Sequence, residues 1–408
     1  MGKGYIMVSS KMRRRNSMKK LLSLTLVVAM ALSLLTGCAQ PAPAPSGEPA
    51  APAEEEVIKI GVFEPLTGAN AAGGELEMEG IELAHELYPE VLGKKVELIV
   101  VDNKSDKVEA ATAAARLVEK EKVTAIIGSW GSSLAMAAGD IVKNAKVPAM
   151  GTSCTNPLVT QGNDYYFRVC FIDPFQGVVM SNYAYNGLGA KKAAIVQEVS
   201  NDYAVGLAKF FTDNFKKLTG DENSIVAVAN YNTGDQDFTA QLTNIKAQNP
   251  DVIFAPGNFT ESALLIKQAR QLGIKTPFIG GDTYETPEFA EIGGDAVEGV
   301  VFSTFFATER PITSESTKFL DAYRAKYPGK EPAAVTALGY DAYLILIKAI
   351  EQAGAADSAS IHNALLNIKD FQGAAGVVNF DENGDAVKSA VIKTVKDGKF
   401  TFMDVVEP

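Results

Sequence analysis

From Val57 onward the chain alternates short apolar runs with longer amphipathic segments, and this series occurs twice. Apolar strands joined by helices indicate parallel sheets that are covered on both faces. The first series predicts strands at 58–63, 96–101, 124–127 and 147–150, with helices at 75–87, 107–121 and 132–143. The second predicts strands at 193–196, 225–229, 252–255 and 278–280, with helices at 203–218, 238–247 and 261–272. The chain therefore predicts an α/β fold of two similar lobes.

The last part of the chain returns to helices and ends in short strands. The apolar spacing predicts helices at 315–327, 333–352 and 358–368, followed by strands at 376–380, 390–395 and 400–405. The 371 residues from Cys38 to Pro408 (408 − 37) are too many for one compact core and fit two domains.

Residues 1–37 have the pattern of a secretory signal. Basic residues precede an uncharged apolar run at 21–35, whose 15 residues are fewer than the roughly 20 that a spanning helix needs. Leu35-Thr36-Gly37-Cys38 resembles the bacterial lipobox, in which the Cys thiol receives a diacylglycerol. We therefore expect a lipoprotein signal at 1–37 and lipidation at Cys38. The alternative is an ordinary signal peptide in which this Cys occurs by chance.

Residues 38–56 are rich in proline and alanine and cannot form a core. Proline at this density favours an extended polyproline II conformation, which rises about 3.1 Å per residue. The segment is therefore predicted to be a tether of up to roughly 55 Å between the lipid and the folded part.

The charge of the chain excludes several partners. The first 37 residues hold 7 of the 38 Lys and Arg residues and no Asp or Glu, so the remainder carries 31 basic and 49 acidic groups, a net charge of −18. Nucleic-acid binding needs clustered Lys and Arg, so we expect no nucleic-acid partner. The folded part is also not expected to bind an anionic membrane by charge, and acyl chains must hold it there.

Cysteine and histidine provide no metal site or disulfide framework. Beyond Cys38 the chain has only Cys154 and Cys170, which could pair but stand in different contexts, and we expect free thiols. His85 and His362 stand alone and are interpreted as solvated helix residues. No metal and no cofactor are expected.

Polar residues follow the predicted strands where parallel α/β sheets bind ligands, beyond the carboxyl ends. In the first series 128–133 and 151–157 offer hydroxyls, glycines and a helix start, which suits an anion such as a carboxylate. In the second series 197–203, 256–260 and 281–284 offer aromatic surface and the acid Asp282. An anion site that faces a cation site is complementary to a zwitterionic amino acid. Alternatively, Ser132 and Thr155 only cap their own helices.

Several blocks in the same order resemble the periplasmic binding proteins of branched-chain amino acid ABC importers. They cover essentially 57–408 and indicate the family more specifically than the ligand. The blocks are IKIGVFEPLTG (58–68), EAATAAARLVEKEKVTAIIG (109–128), TNP (155–157), FTAQLTNIKAQNPDVIF (238–254), QARQLGIKTPFIGGD (268–282) and GYDAYLILIKAI (339–350).

The resemblance implies a role for individual residues. Ser132 and Thr155 match the residues that hold the carboxylate of the amino acid. Thr155, a backbone carbonyl at Ser153 or Cys154, and the acidic side chain of Asp282 match the groups that hold the ammonium.

The aromatic part of the site is less regular. Tyr203 matches a tyrosine of the far lobe, and a second aromatic position falls at Asn258 or Phe259. Many relatives have an aromatic residue in the first loop where this chain has Gly73-Gly74. Trp130 could supply the missing bulk and reshape the pocket, which makes leucine itself doubtful as the ligand. Alternatively, Trp130 is buried for structural reasons.

The family also implies a clamshell of two Rossmann-like lobes that closes over its ligand and is recognised by a membrane permease. We expect a monomer anchored on the extracytoplasmic face of the cell membrane. The implied lobes are 57–172 plus 306–375 and 173–305 plus 376–408, with crossovers near 171–174, 304–308 and 375–378.

Four rival functions can be compared with this one. An enzyme is disfavoured because no nucleophile motif, phosphate loop or nearby His is present, so no catalytic residue is expected. A transcription regulator of the same fold would need a basic helix-turn-helix at the front. A sensor without transport is harder to exclude. An amide, a short peptide or an aromatic acid also remains open as the ligand.

Overall fold

The computed structural model describes residues 57–408. The predicted signal, Cys38 and the tether therefore lie outside the described residues. The strands in this part are β1 (Ile58–Val62), β2 (Glu90–Val91), β3 (Lys94–Val100), β4 (Ala125–Ile127), β5 (Ala149–Gly151), β6 (Tyr166–Arg168), β7 (Ala193–Glu198), β8 (Ile225–Tyr231), β9 (Val252–Phe254), β10 (Phe278–Gly280), β11 (Val301–Thr304), β12 (Phe371–Gly373), β13 (Gly376–Val378), β14 (Ala390–Lys396) and β15 (Lys399–Val406).

The helices alternate with these strands, and all but α4 and α8 lie where the sequence predicts a helix. They are α1 (Ala71–Leu87), α2 (Lys107–Arg116), α3 (Ser132–Ala145), α4 (Asp173–Asn182), α5 (Asp202–Thr219), α6 (Thr239–Gln248), α7 (Phe259–Gln271), α8 (Pro287–Gly293), α9 (Ser314–Lys326), α10 (Ala334–Ala353) and α11 (Ser358–Leu365). Across residues 57–408, each helix is too short or too polar to cross a membrane.

Two large, mainly parallel sheets form the framework of the described chain. The first has the order β2-β3-β1-β4-β5-β6, in which only β2 runs antiparallel to its neighbour. The second has the order β15-β14-β11-β10-β9-β7-β8, with β14 and β15 antiparallel and the rest parallel. The prediction of an α/β fold with two parallel sheets is confirmed. All eight strands predicted in the two series are present.

Within residues 57–408 the chain passes between the sheets three times. The first passage follows β6, the second follows β11, and the third lies between β13 and β14. Helix α10, which comes after the second passage, packs against α1 of the first sheet. The exact lobe limits given above stay a prediction.

Local chemistry explains where several helices begin. Asp106 caps α2 by accepting hydrogen bonds from the amides of Val108 and Glu109. Asn201 caps α5 by accepting from the amide of Tyr203, and it thereby fixes the start of the helix on which this tyrosine stands. Both caps follow strand ends, so they also set the direction in which the chain leaves each sheet.

Each of the two histidines forms a hydrogen bond with a backbone carbonyl oxygen. The Nε2 atom of His85 lies 2.9 Å from the carbonyl oxygen of Val96. That of His362 lies 2.8 Å from the carbonyl oxygen of Asp164, and its ring stacks on Tyr165. Both residues lie in helices and are partly exposed, and each imidazole also joins its helix to a neighbouring segment.

Helices α1 and α10 approach each other until their backbones touch. A Cβ atom at Gly80 would lie 1.9 Å from the carbonyl oxygen of Thr336, and one at Gly339 would lie 2.2 Å from that of Glu77. Helix α10 is buried along most of its length. These two glycines therefore let a core helix press directly on the helix that follows β1.

We predict that Gly339→Ala destabilises the protein by about 1–3 kcal/mol, since neither backbone can yield to the added methyl group. Helix propensity alone would favour alanine by up to about 1 kcal/mol. Gly139→Ala in α3 is the matched control, because its Cβ would meet only Asn163 at 3.5 Å. Denaturant unfolding measures both variants. Equal stability of the two would contradict the close-packing argument.

Candidate functional site

Loops from both sheets line a small cavity. The first sheet contributes residues that follow β4 and β5, and the second contributes residues that follow β7, β9 and β10. The lining residues are Trp130, Gly131, Ser132, Ser153, Asn201, Tyr203, Asn258, Asp282 and Thr283. Six of the nine predicted ligand-binding residues thus line one cavity. The other three, Cys154, Thr155 and Phe259, are buried beside it.

Ser132 and Thr155 do not cap their own helices. The N-cap residue of α3 is Gly131, which makes no side-chain cap, and Ser132 Oγ instead accepts a hydrogen bond from the amide of Asn156 at 3.0 Å. The turn after Thr155 is capped by Asn156, whose side chain accepts from the amide of Leu158. The capping alternative is therefore wrong for both residues.

Thr155 carries a buried polar atom with no partner. In the described part of the chain, its Oγ1 atom makes no hydrogen bond. The neighbouring carboxylate of Asp173 is likewise buried with both oxygens unpartnered. Burial raises the pKa of Asp173 well above its usual range, and the nearby Thr155 hydroxyl opposes this shift. Unsatisfied buried groups are rare in native proteins and often mark a functional site.

Asp282 forms the acidic end of the cavity. Its Oδ1 atom accepts hydrogen bonds from Gln176 Nε2 at 2.7 Å and from the Tyr203 hydroxyl at 2.9 Å. Burial raises the pKa of Asp282 to about 6, although both donors lower it. No Lys or Arg is among the described residues that line the cavity. A bound cationic group would therefore be the natural partner of this carboxylate.

Gly73 and Gly74 stand in the first turn of α1 and not in the first loop as predicted, and Trp130 packs against this turn. Its indole lies against Gly73, where a Cβ atom would come within 2.4 Å of the ring. The ring also packs edge-to-face on Phe259, with 6.1 Å between the ring centroids. Trp130 is thus both buried and part of the cavity wall. Phe259 packs behind Trp130 and does not line the cavity.

Cys154 and Cys170 are buried free thiols. The backbone carbonyl of Cys154 accepts a hydrogen bond from Arg168 Nη1 at 2.6 Å. A carbonyl already facing a guanidinium is a poor acceptor for a second cation. Of the two carbonyls predicted to hold an ammonium, that of Ser153 is therefore the better placed.

The two sheets are joined across the cleft by direct hydrogen bonds. Ser133 Oγ lies 2.8 Å from Asp202 Oδ2 and accepts from the Asp202 amide at 3.0 Å. Asn258 Nδ2 donates to Asn70 Oδ1 at 3.0 Å, while Asn258 Oδ1 accepts from Asn201. The side chain of Asn258 therefore bridges the two sides of the cleft, a role that its sequence position did not reveal.

Several residues of the site were missed by sequence reasoning. Gln176 stands in the first turn of α4, a helix that the apolar pattern does not predict, so its approach to Asp282 had no visible signal. Glu64 follows the first predicted strand and could have been found by the strand-end rule. Glu77 lies within a helix, and only its burial beside the cavity distinguishes it from the exposed acids of the same helix.

Two α/β sheets that enclose a polar cavity with loops from their carboxyl ends define a two-lobed solute-binding protein. Residues 57–399 match the periplasmic binding protein family, and the chain belongs to that family. It is a solute-binding protein of the Leu/Ile/Val-binding type that serves ABC transporters, and members of the family are extracytoplasmic binding proteins.

Similar proteins support this assignment. An amino acid binding protein of Pseudomonas aeruginosa is 31% identical over 334 residues, which cover 80% of this chain and 87% of that protein. The structure of a leucine binding protein from Thermotoga maritima is similar with a TM-score of 0.83, at 46% identity, over 86% of this chain and 99% of that one. A branched-chain amino acid transporter substrate-binding protein from Streptococcus pneumoniae, in complex with isoleucine, gives a TM-score of 0.81 at 36% identity, over 86% of this chain and 100% of that one.

The raised pKa of Asp282 predicts a stability cost in the ligand-free protein. When the pKa of a carboxyl group is higher in the folded protein than in the unfolded chain, the protein loses stability as the pH rises, here from about 4 to about 6. The shift from 3.8 to about 6 corresponds to up to about 3 kcal/mol. Asp282→Asn should therefore make the empty protein more stable at pH 7.5 and flatten its stability between pH 4 and 7.

Thermal and denaturant unfolding of the empty protein over this pH range are the measurements. Asp321→Asn on the exposed face of α9 is the control and should leave the pH profile unchanged. A variant of Asp282 that is no more stable than the native protein at any pH would show that the buried charge carries no penalty.

Proposed function

We propose that this protein captures a free neutral amino acid, with an aliphatic or branched side chain, between its two sides and delivers it to an ABC importer permease. One observation carries the proposal. A buried carboxylate with no cation in the lining faces hydroxyls and a helix start across a small cavity. Such opposed polarity suits a molecule with an ammonium at one end and a carboxylate at the other.

Each end of the ligand has partners in this proposal. Ser132 at the start of α3 and the unpaired Thr155 hydroxyl take the carboxylate, helped by the positive end of the helix. Asp282, the Ser153 carbonyl and Thr155 take the ammonium. Charge-assisted hydrogen bonds of this kind are the strong ones, so they fix the orientation of the amino acid.

The side chain of the ligand then points toward apolar and aromatic surface. Trp130 and Tyr203 bound the cavity, and the Trp130 ring already fills the space above Gly73. We propose that Trp130 limits the size of the side chain that the site accepts. The similarity to a leucine binding protein and to a protein in complex with isoleucine supports aliphatic amino acids as the ligand class.

Binding should be tested with residues 57–408 by a thermal-shift screen followed by calorimetry. Valine, isoleucine and leucine should raise the melting temperature, because a ligand of the native state stabilises it by mass action. Their deaminated acids and decarboxylated amines should bind far more weakly. Asp282→Asn should cost roughly 2–5 kcal/mol of amino-acid affinity, as for a buried charge that loses its partner.

Asp321→Asn again serves as the control and should bind like the native protein. Unchanged amino-acid affinity in Asp282→Asn would remove Asp282 from the ammonium site. Tight binding of a deaminated acid would point to a ligand without an ammonium group and would overturn the amino-acid proposal.

We further propose that a lipid on Cys38 holds the protein on the extracytoplasmic face of the cell membrane, as a monomer on a proline-rich tether. The lipobox-like residues 35–38 and the tether at 38–56 support this. In a bacterial host, Cys38→Ser should move the full-length protein from the membrane fraction to the soluble or secreted fraction. Ser46→Ala in the tether should not. Membrane retention of Cys38→Ser would contradict lipid anchoring.

A further inference from the structure

Two buried acids lie side by side beneath the cavity wall of the first sheet. Glu64 follows β1, Glu77 lies in α1, and both are completely buried. In the described part of the chain, the side chains that hydrogen-bond to their carboxyl groups are neutral, and the other donor is a backbone amide. Neither acid therefore has a bonded cation to balance its charge.

The pair holds the wall of the cavity by short hydrogen bonds. Glu64 Oε2 accepts from the backbone amide of Trp130 at 2.6 Å. Glu77 Oε1 accepts from Ser153 Oγ at 2.5 Å, and its Oε2 accepts from Thr152 Oγ1 at 2.6 Å. Trp130 and Ser153 line the cavity directly. The two acids are thus one atom layer behind the surface that would contact the ligand.

The hydroxyl of Thr152 shows how close the two carboxyl groups are. It lies 2.6 Å from Glu77 and 3.5 Å from Glu64. Two carboxylates that face one hydroxyl in a dry interior repel each other, so ionising both at neutral pH is unfavourable. Burial is the main reason that the pKa of Glu64 is well above its usual range and that of Glu77 is raised to about 7.

We propose that Glu64 and Glu77 are positioning residues that share one proton, and that loss of this proton above neutral pH loosens Trp130 and Ser153 and weakens ligand binding. The proposal rests on the amino-acid function given above. With one proton, the pair has a single negative charge and an internal hydrogen bond. Without it, two adjacent charges repel and draw water under the wall.

Other ionisable groups face the pair and must be considered. Asp282 of the second sheet raises the pKa of Glu77, and Cys154 raises that of Glu64. Tyr166 lies on the far side of Glu64 and feels its charge. These groups are also present in a variant of Glu77, so their titration cancels when the pH profiles of the native protein and the variant are compared.

The test uses glutamine as an isostere of the protonated acid. Glu77→Gln and Glu64→Gln can each keep the hydrogen bond within the pair but cannot lose a proton. Glu82→Gln on the exposed side of the same helix is the matched control. Calorimetry would measure the affinity for isoleucine, or for the best amino acid of the screen, from pH 5.5 to 8.5.

We expect the affinity of the native protein and of the Glu82 variant to fall about threefold to thirtyfold between pH 7 and 8.5. A site that needs one proton loses up to tenfold in affinity per pH unit above the pKa at which that proton leaves. The two single glutamine variants should lie within about threefold of the native affinity at pH 6 and should not show this fall between pH 7 and 8.5.

Parallel pH profiles of the native protein and Glu77→Gln would overturn the proposal. So would a folded Glu77→Gln protein that binds weakly at every pH, because the ionised carboxylate would then be what the wall needs. If Glu77→Gln does not fold, Glu64→Gln provides the same comparison.

The melting temperature of the ligand-free protein separates this proposal from the function on which it rests. A protein loses stability as the pH rises when the pKa of one of its acids is higher in the folded state than in the unfolded state. The native melting temperature should therefore fall from pH 5.5 to 8.5 more than that of either glutamine variant. If no amino acid binds but this difference in melting temperature appears, the shared proton is supported and the proposed function is wrong. If the difference does not appear, Glu64 and Glu77 do not share a proton.

Discussion

The constraint on this cleft is that several buried carboxyl groups have no basic side chain to balance their charge. Glu64, Glu77, Asp173 and Asp282 are all buried around the cavity, and the one buried guanidinium nearby, Arg168, is already paired with Asp385. An isolated charge in the interior is strongly unfavourable, so each acid must be protonated, hydrogen-bonded or neutralised by a ligand. The pair formed by Glu64 and Glu77 can share a proton. Asp282 has two donors but no cation, which leaves it as the place where a ligand ammonium gains most.

Arg168 connects the loop that carries Thr155 to the passages between the two sheets. Its guanidinium donates to the carbonyls of Cys154 and Asn156 and to Thr160, while Asp385 accepts from its Nε at 2.6 Å. The loop that carries Thr155 is therefore held from below by a residue of β6, and β6 is held by the segment before β14. Removing one partner of such a buried pair would leave an uncompensated charge. The loop that carries Thr155 and the third passage are thus parts of one polar network.

The regular part of the fold could be predicted because buried strands and amphipathic helices leave a periodic pattern. The strands that were missed explain the limits of that pattern. β6 has only three residues and ends in Arg168, whose burial depends on Asp385, more than two hundred positions away. At the site, strand-end residues such as Ser132 and Asp282 could be predicted from topology. Glu77 and Gln176 could not, because they stand inside helices and reach the site only through tertiary packing.

Several of the contacts across the cleft contribute little free energy individually. Lys107 and Asp202 form an ion pair at 2.8 Å, but both side chains are about half exposed, and such pairs contribute only ~0–1 kcal/mol. The amide pair of Asn70 and Asn258 adds a neutral hydrogen bond of about 1 kcal/mol. Moving an equilibrium from mostly open to mostly closed takes about 5.5 kcal/mol of differential affinity. Under the proposed function, a ligand that touches Ser132 on one side and Asp282 on the other would add to these contacts, whereas one that lacks an ammonium would leave Asp282 unpaired and favour closure less. The acid proposed to hold the ligand ammonium would therefore also favour the closed cleft.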